Sequence, residues 1–177
     1  MSNNITTIQE LITALDNSSK NERDKIIAKL YLDADDLMQY STWVDDNYTR
    51  NCLARTDDYE IILLCWDKNA HTPIHGHGGQ DCWVYQVEGE VMEMRFNEEN
   101  DELKLSEKLS LGEGDISYMT DEMGYHLIKN NSKEKAMTLH VYAGPIDACE
   151  VFDNEINAFQ ITEMEYDHIF DDEVVSA

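Results

Sequence analysis

Pro73-Ile74-His75-Gly76-His77-Gly78-Gly79-Gln80-Asp81-Cys82 is the stretch on which the reading of this chain turns. In an extended segment, residues i and i+2 point to the same side. His75 and His77 therefore aim together, as two ligands of one metal must. Gly76, Gly78 and Gly79 let the backbone come close to a ligand. Cys82 then opens a strand-like run to Glu88, and Gly89 closes it. No other part of the chain is so loaded with chemistry. Residues 48 to 142 are expected to converge on a metal held by this stretch. Two histidines at this spacing are also ordinary core or loop residues, so the case rests on their surroundings.

Working outward, the flanking chain reads as short strands between turn signals. The candidates are 59–66, 82–88, 91–96, 103–109, 115–118, 125–129 and 137–143. Glu88-Gly89-Glu90 and residues 97–101 read as hairpin turns, and Gly112-Glu113-Gly114-Asp115 as a tight turn. Strands at this spacing indicate a small barrel or sandwich. Residues 6–40 read as helices. Thr7-Ile8-Gln9-Glu10 is a capping-box pattern, with Ile8, Leu11, Ile12 and Leu15 on one face. Asn17-Ser18-Ser19 breaks that run, and a second amphipathic segment carries Ile26, Ile27, Leu30 and Tyr31. Residues 33–36 form an acidic turn, and 37–43 one more helical turn. The organisation expected is a single domain, 1–177: N-terminal helices over 1–47 packed on a barrel over 48–150, and an acidic C-terminal extension over 151–177.

Composition narrows the function. The net charge of −24 argues against nucleic acid and anionic membrane surfaces as partners. Its plain use is a solubilising surface, with a cationic partner as the alternative. No apolar run reaches the ~18–20 residues of a membrane span. Met1-Ser2-Asn3-Asn4 has neither the basic region nor the apolar core of a signal peptide. The four cysteines, Cys52, Cys65, Cys82 and Cys149, include no C-x-x-C pair. That suits a reducing cytoplasm, and a monomer is expected.

A later segment offers Gly114-Asp115, a strand, then His126 and Asn130. Together with His75-x-His77 and Gly89, it resembles the two motifs of the cupin barrel. The resemblance implies a mainly β, jelly-roll fold with His75, His77 and His126 as facial metal ligands. Many cupins add a glutamate ligand in the first motif. By spacing, that position is either Asp81 or Cys82, and spacing alone does not choose. Asp81 would make a His/carboxylate site; Cys82 would leave three histidines. Three neutral imidazoles leave Fe(II) its full charge, which favours an anionic soft ligand such as a thiolate.

Tyr48-Thr49-Arg50-Asn51, Leu64-Cys65-Trp66, His75-x-His77-x4-Cys82, Gly124-Tyr125-His126, Thr138-Leu139-His140-Val141-Tyr142 and Asp147-x-Cys149 occur in this order. The series resembles cysteine dioxygenase, the cupin-fold thiol dioxygenase family, over residues 48 to 153. That resemblance implies Fe(II) held by His75, His77 and His126, and L-cysteine and O2 as substrates. It places Cys82 beside the iron, able to form a thioether crosslink to Tyr142, and so favours Cys82 over Asp81. It also makes Arg50, with Tyr48, the clamp for a substrate carboxylate, where a surface salt bridge is the ordinary use of such an arginine. The residues themselves agree on one point. Thr138, His140 and Tyr142 alternate with Met137, Leu139 and Val141. A polar strand face inside a barrel is costly unless its groups hydrogen-bond, which a Thr–His–Tyr relay would achieve.

The chain departs from the family pattern in places. Thr138 stands where serine is usual, and Ala143-Gly144-Pro145 where Ser-Pro-Pro is common, so a cis proline at 144 is impossible. Gly78-Gly79-Gln80-Asp81 makes a more flexible and acidic approach to Cys82. The alternatives are a dioxygenase for another small thiol acid such as 3-mercaptopropionate, whose enzymes usually carry glutamine in place of Arg50, and a non-enzymatic metal-binding cupin acting as sensor or store. Cys52, Cys65 and Cys149 read as small buried hydrophobes, and His71 and His168 as surface residues.

Overall fold

The structure, a computed structural model, describes residues 4–100 and 102–170. The end of the acidic extension, 171–177, lies outside the described residues. Helix α1 spans Ile8–Asp16, α2 Arg23–Ile27 and α3 Ala34–Leu37. Thr7 caps α1, its Oγ1 accepting from the Glu10 amide at 3.2 Å. The Glu10 carboxylate reaches back to the amide of Thr6 at 2.7 Å. Ile8, Leu11 and Leu15 are buried as the periodicity requires. In the second segment Ile26, Ile27 and Leu30 are buried, but Tyr31 is 71% exposed and Leu32 takes its place in the core. The cause is local. Leu30 pairs with Ile5 in a bridge, so the chain there is extended and not helical. The acidic turn is the start of α3, where the Asp33 side chain caps the Asp35 amide at 3.0 Å. Carboxylates near a helix N-terminus also meet its positive dipole end.

Eleven strands follow among the described residues. They are β1 Tyr48–Arg55, β2 Glu60–Trp66, β3 Cys82–Glu88, β4 Val91–Glu99, β5 Glu102–Leu111, β6 Ile116–Met119, β7 Tyr125–Lys129, β8 Ala136–Tyr142, β9 Ala148–Asp153, β10 Ala158–Glu163 and β11 His168–Ile169. One sheet has the order β11-β1-β2-β8-β3-β6. Facing it are β5-β4-β7 and the pair β10-β9. Residues 71–75 join these two pieces through bridges from His71 to Lys129 and from His75 to both His126 and Val151. The result is mainly β, with few and short helices.

Strand alternation sorts the first sheet into two faces. Ile61, Leu63 and Cys65 of β2, Trp83, Tyr85 and Val87 of β3, and Met137, Leu139 and Val141 of β8 meet the helices in one apolar cluster. Ile62, Leu64 and Trp66, Cys82 and Val84, and Tyr142 turn the other way, into the barrel. The helices are pinned as well as packed. Trp83 Nε1 donates to Asp24 Oδ1 at 2.8 Å, and Tyr59 OH to Asp16 Oδ1 at 2.7 Å. Among the described residues no helix is long and apolar enough to cross a membrane.

Two expected turns prove to be sheet crossings. β3 and β4 do not pair, so Glu88-Gly89-Glu90 carries the chain from one sheet to the other and is not a hairpin. Gly89 sits at φ 72, where a Cβ would lie 2.9 Å from the Lys135 carbonyl oxygen. Gly112-Glu113-Gly114-Asp115 is tight, with the Asp115 amide on the Gly112 carbonyl at 2.9 Å, but it too links different sheets. β4–β5 is a hairpin, as are β1–β2 and β9–β10. The β4–β5 pairing runs to Glu99↔Glu102, so residues 97–99 are strand and not turn. Beyond the expected strands, β1 extends from the pair Tyr48 and Arg50. The segment set apart as an extension supplies β10, β11 and half of β9.

Leu11 is fully buried between α1 and the sheet. Leu11→Ala is expected to cost about 2–5 kcal/mol of stability in urea unfolding, as buried leucine truncations do. A loss below about 0.5 kcal/mol would contradict the packing of α1 on the sheet.

Candidate metal centre

His75 lies between strands, His77 in the loop before β3, and His126 on β7. What brings them together is backbone pairing. His75 N donates to His126 O at 2.9 Å and His126 N to His75 O at 3.0 Å. The loop is also gripped by Asp121, whose carboxylate accepts the amides of His77 at 2.5 Å and Gly79 at 2.6 Å. The three rings each offer one nitrogen, and these nitrogens lie within 4.8 Å of one another.

The tautomers follow from the partners. His75 Nδ1 faces the Pro73 carbonyl at 2.9 Å, and a carbonyl only accepts, so Nδ1 carries the proton. His126 Nδ1 likewise donates to Glu93 Oε1 at 2.7 Å. Both rings therefore present bare Nε2 lone pairs to the centre. His77 Nδ1 is buried without a hydrogen-bond partner and sits 3.7 Å from Asp121 Oδ1. A proton on that nitrogen suits the neighbouring carboxylate, which again leaves Nε2 bare. Yet His77 Nε2 and His126 Nε2 are 3.1 Å apart. Two lone pairs at that separation repel each other unless a cation lies beside them. Burial also depresses the pKa of His75, and of His126 to about 4, keeping both in the neutral, ligating form. The donor set thus fits a divalent transition metal.

Glu93, on β4, is a residue that the sequence reading missed. It is fully buried. Burial pushes its pKa up, but the hydrogen bond and charge of His126, then Ser117 and Arg95, outweigh this and hold it at about 2. Ser117 Oγ donates to Glu93 Oε2 and accepts from Arg95 Nη2 at 2.9 Å. A carboxylate fixing the far nitrogen of a ligating histidine orients the ring and raises its basicity. The signal was available: a lone carboxylate within Val91-Met92-Glu93-Met94. Asp121 left no comparable trace, since Thr120-Asp121-Glu122 reads as any acidic turn.

Next to the histidines, β3 and β8 pair so that Cys82 lies opposite Tyr142. The thiol and phenol are hydrogen-bonded, and burial pushes both pKa values up. Asp81 is half-buried and outside the cluster that could hold a metal. Behind Tyr142 runs a directed chain. Trp66 Nε1 can only donate, and does so to Thr138 Oγ1 at 2.8 Å. The Thr138 proton then goes to His140 Nε2 at 2.9 Å. His140, whose pKa burial depresses, keeps its proton on Nδ1, which faces Tyr142 OH at 3.5 Å. The Tyr142 proton is thereby left to point forward. Trp66 was quoted in the sequence without a role; here it begins the chain.

Tyr48 and Arg50 share the inner side of β1. Tyr48 packs on Trp66 with ring centroids 5.1 Å apart. Arg50 is half-buried, and its charge helps to depress the pKa of His75 and His140 and to restrain that of Tyr142. Its Nε donates to the Glu165 carbonyl at 3.1 Å. Cys52, Cys65 and Cys149 are buried thiols, while His71 and His168 are exposed. Asn130 binds the carbonyls of Trp66, Asp67 and Glu134 and serves the loop, not the metal.

Two apposed sheets enclosing three convergent imidazoles define a cupin-type barrel whose histidine cluster could hold a metal ion. Residues 2–155 match the family model described as "Cysteine dioxygenase type I", and the chain belongs to that family. It is 28% identical to cysteine dioxygenase type 1 of Homo sapiens over 159 residues, covering 83% of this chain and 79% of the human protein. Against the protein of that name from Bos taurus it is 31% identical over 120 residues, 64% of this chain and 60% of the bovine one. Against that from Danio rerio it is 24% identical over 172 residues, 90% and 86% of the two chains. Among solved structures, TT1209 from Thermus thermophilus superposes with a TM-score of 0.51 at 23% identity, over 62% of this chain and 94% of that one. An uncharacterized protein with a double-stranded β-helix domain from Klebsiella pneumoniae gives 0.51 at 17% identity, over 71% and 93%. These two likenesses concern the fold alone.

Glu93→Gln is expected to weaken metal binding about 10–100-fold in a chelator competition while leaving three histidine ligands. Unchanged affinity would mean that the His126–Glu93 contact does not tune the centre.

Proposed function

We propose that the protein oxidises L-cysteine with O2 to cysteine sulfinic acid, with Fe(II) held by His75, His77 and His126. The observation that carries this reading is the meeting, inside one barrel of this family, of three convergent imidazoles, an arginine and the buried Cys82–Tyr142 pair. The reaction balances as RSH + O2 → RSO2H: sulfur is oxidised, O2 is reduced and no further reductant is needed. Bound iron supplies the O2-dependent redox chemistry. The protein binds, orients and shields.

Arg50 forks onto the substrate carboxylate with two parallel hydrogen bonds, and Tyr48 closes the same side. The aliphatic and aromatic walls around it, Ile62, Leu64, Trp66 and Ile146, exclude water from the reacting sulfur. Tyr142 donates a hydrogen bond toward the substrate. The chain Trp66, Thr138, His140 fixes the direction of that proton, and burial keeps the phenol protonated. Cys82 is held beside the ring by strand register. A thioether between its sulfur and the Tyr142 ring, formed with loss of two hydrogens to O2, would pin the phenol and remove a competing thiol. Four buried cysteine thiols support a reducing cytoplasmic setting, and the chain is taken to act as a monomer.

Oxygen uptake by the Fe(II)-loaded protein with cysteine, cysteamine, homocysteine and 3-mercaptopropionate, measured side by side, tests the assignment. Cysteine should saturate and yield sulfinate, and Arg50→Gln should lose about 1.5–3 kcal/mol of kcat/KM, the worth of a charged hydrogen bond. Preference for 3-mercaptopropionate would move the substrate, and uptake with none of the four would end the enzyme reading. On a denaturing gel the crosslinked and open forms should run as a doublet that Cys82→Ser and Tyr142→Phe each abolish. An intact-mass spectrum with one species, two hydrogens lighter in none of the preparations, would remove the crosslink.

A further inference from the structure

Glu60, at the start of β2, is a carboxylate with 0% exposure that neither ligates the histidine cluster nor joins the relay behind Tyr142. It stands opposite Tyr142 in the β2–β8 register. Burial raises its pKa, with the Ile146 amide and Arg55 opposing. A charge placed there is costly unless it is fully partnered. Its partners lie on both sides of the site.

On one side Glu60 Oε2 accepts the Ile146 amide at 3.2 Å. Ile146 ends the loop Ala143-Gly144-Pro145 that leaves Tyr142. A glycine at 144 leaves that loop without the stiffness of a second proline. The Gln80 side chain fills the space a Cβ at 144 would need, at 2.7 Å. On the other side Glu60 Oε1 accepts from Tyr166 OH, and from Arg55 Nη1 at 2.7 Å. Arg55 is shared with Asp147 and also donates to Tyr166 OH at 2.5 Å.

Tyr166 lies in the C-terminal strap that holds Arg50. Its neighbour Glu165 takes Arg50 Nε through its carbonyl. Its other neighbour, Asp167, donates its amide to Arg50 O at 2.9 Å and accepts the Arg50 amide at 2.8 Å. The Arg50 guanidinium carbon stands 5.9 Å from the centre of the Tyr166 ring. β11 then pairs parallel with β1 through Asn51↔His168 and Cys52↔Ile169. One buried carboxylate thus ties the loop after Tyr142 to the strap behind Arg50.

We propose that Glu60 is a positioning residue that, through Ile146 and Tyr166, fixes the placement of Arg50 relative to Tyr142 and so sets the preference for thiols bearing a carboxylate. This rests on the function proposed above. Glu60 touches no substrate. Its effect is confined to the part of the ligand that Arg50 reads.

The test uses Glu60→Gln, which keeps the volume, and Tyr166→Phe, which removes one hydroxyl. Calorimetry on the Fe(II)-loaded protein without O2 gives the affinities for cysteine and for cysteamine, which lacks the carboxylate. Steady-state oxygen uptake gives KM and kcat. Both variants should weaken cysteine tenfold or more while cysteamine moves less than threefold. The loss should appear in KM, with kcat within threefold. Equal weakening of both ligands would mean a merely structural role, and unchanged cysteine affinity in both variants would overturn the proposal outright. A wild-type protein that binds cysteine but consumes no O2 would overturn the enzyme reading alone, because the calorimetric comparison still reads Glu60. Should Glu60→Gln fail to fold, Tyr166→Phe carries the same comparison.

Discussion

Two backbone hydrogen bonds between His75 and His126 hold this site in place. They fasten an irregular segment to β7, and a further bridge from His75 to Val151 fastens it to β9. The second sheet is continuous only because of this segment. The same contact that completes the barrel therefore gathers the imidazoles that could hold a metal. A substitution that freed the segment would open the sheet and scatter the imidazoles together. Asp121 adds to the constraint from the side, holding the amides of His77 and Gly79 on one carboxylate.

The second requirement is a polar interior that remains satisfied. Thr138, His140, Glu93 and Ser117 are all buried. Each buried polar group must find a partner or cost stability. Here the partners line up: Trp66 donates to Thr138, Thr138 to His140 and His140 to Tyr142, while Arg95 donates to Ser117, and Ser117 and His126 both donate to Glu93. One chain ends on the phenol, and the other meets at the carboxylate that orients an imidazole of the histidine cluster. Both fix where each proton sits, which is what preorganisation of a reactive centre requires.

Much of this was legible in the sequence because alternation is local. The strand 137–143 announced its polar and apolar faces, and His75-Gly76-His77 announced a pair of ligands. The helices were legible from Ile8, Leu11 and Leu15. What could not be read was pairing between distant segments. Glu88-Gly89-Glu90 has the composition of a hairpin, and nothing nearby reveals that β3 prefers β8 as its neighbour. The strands β9 to β11 were hidden because their partners, not their own pattern, make them strands: Ile161 is 73% exposed and His168 is exposed as well. Glu60 was invisible for a related reason. A single carboxylate before Ile61-Ile62-Leu63-Leu64 reads as the polar end of a strand until Tyr166, more than a hundred residues later, closes over it.

The acidic C-terminal segment thus changes its meaning, from an extension beyond the barrel to a strap that grips the arginine. What matters most is the chemistry performed between that arginine and the three histidines. Turnover of cysteine under 18O2, with the product weighed by mass spectrometry, tests it most directly. Dioxygenation predicts cysteine sulfinic acid carrying two labelled oxygens, both from the same O2. A product with one label, or cystine with none, would contradict it.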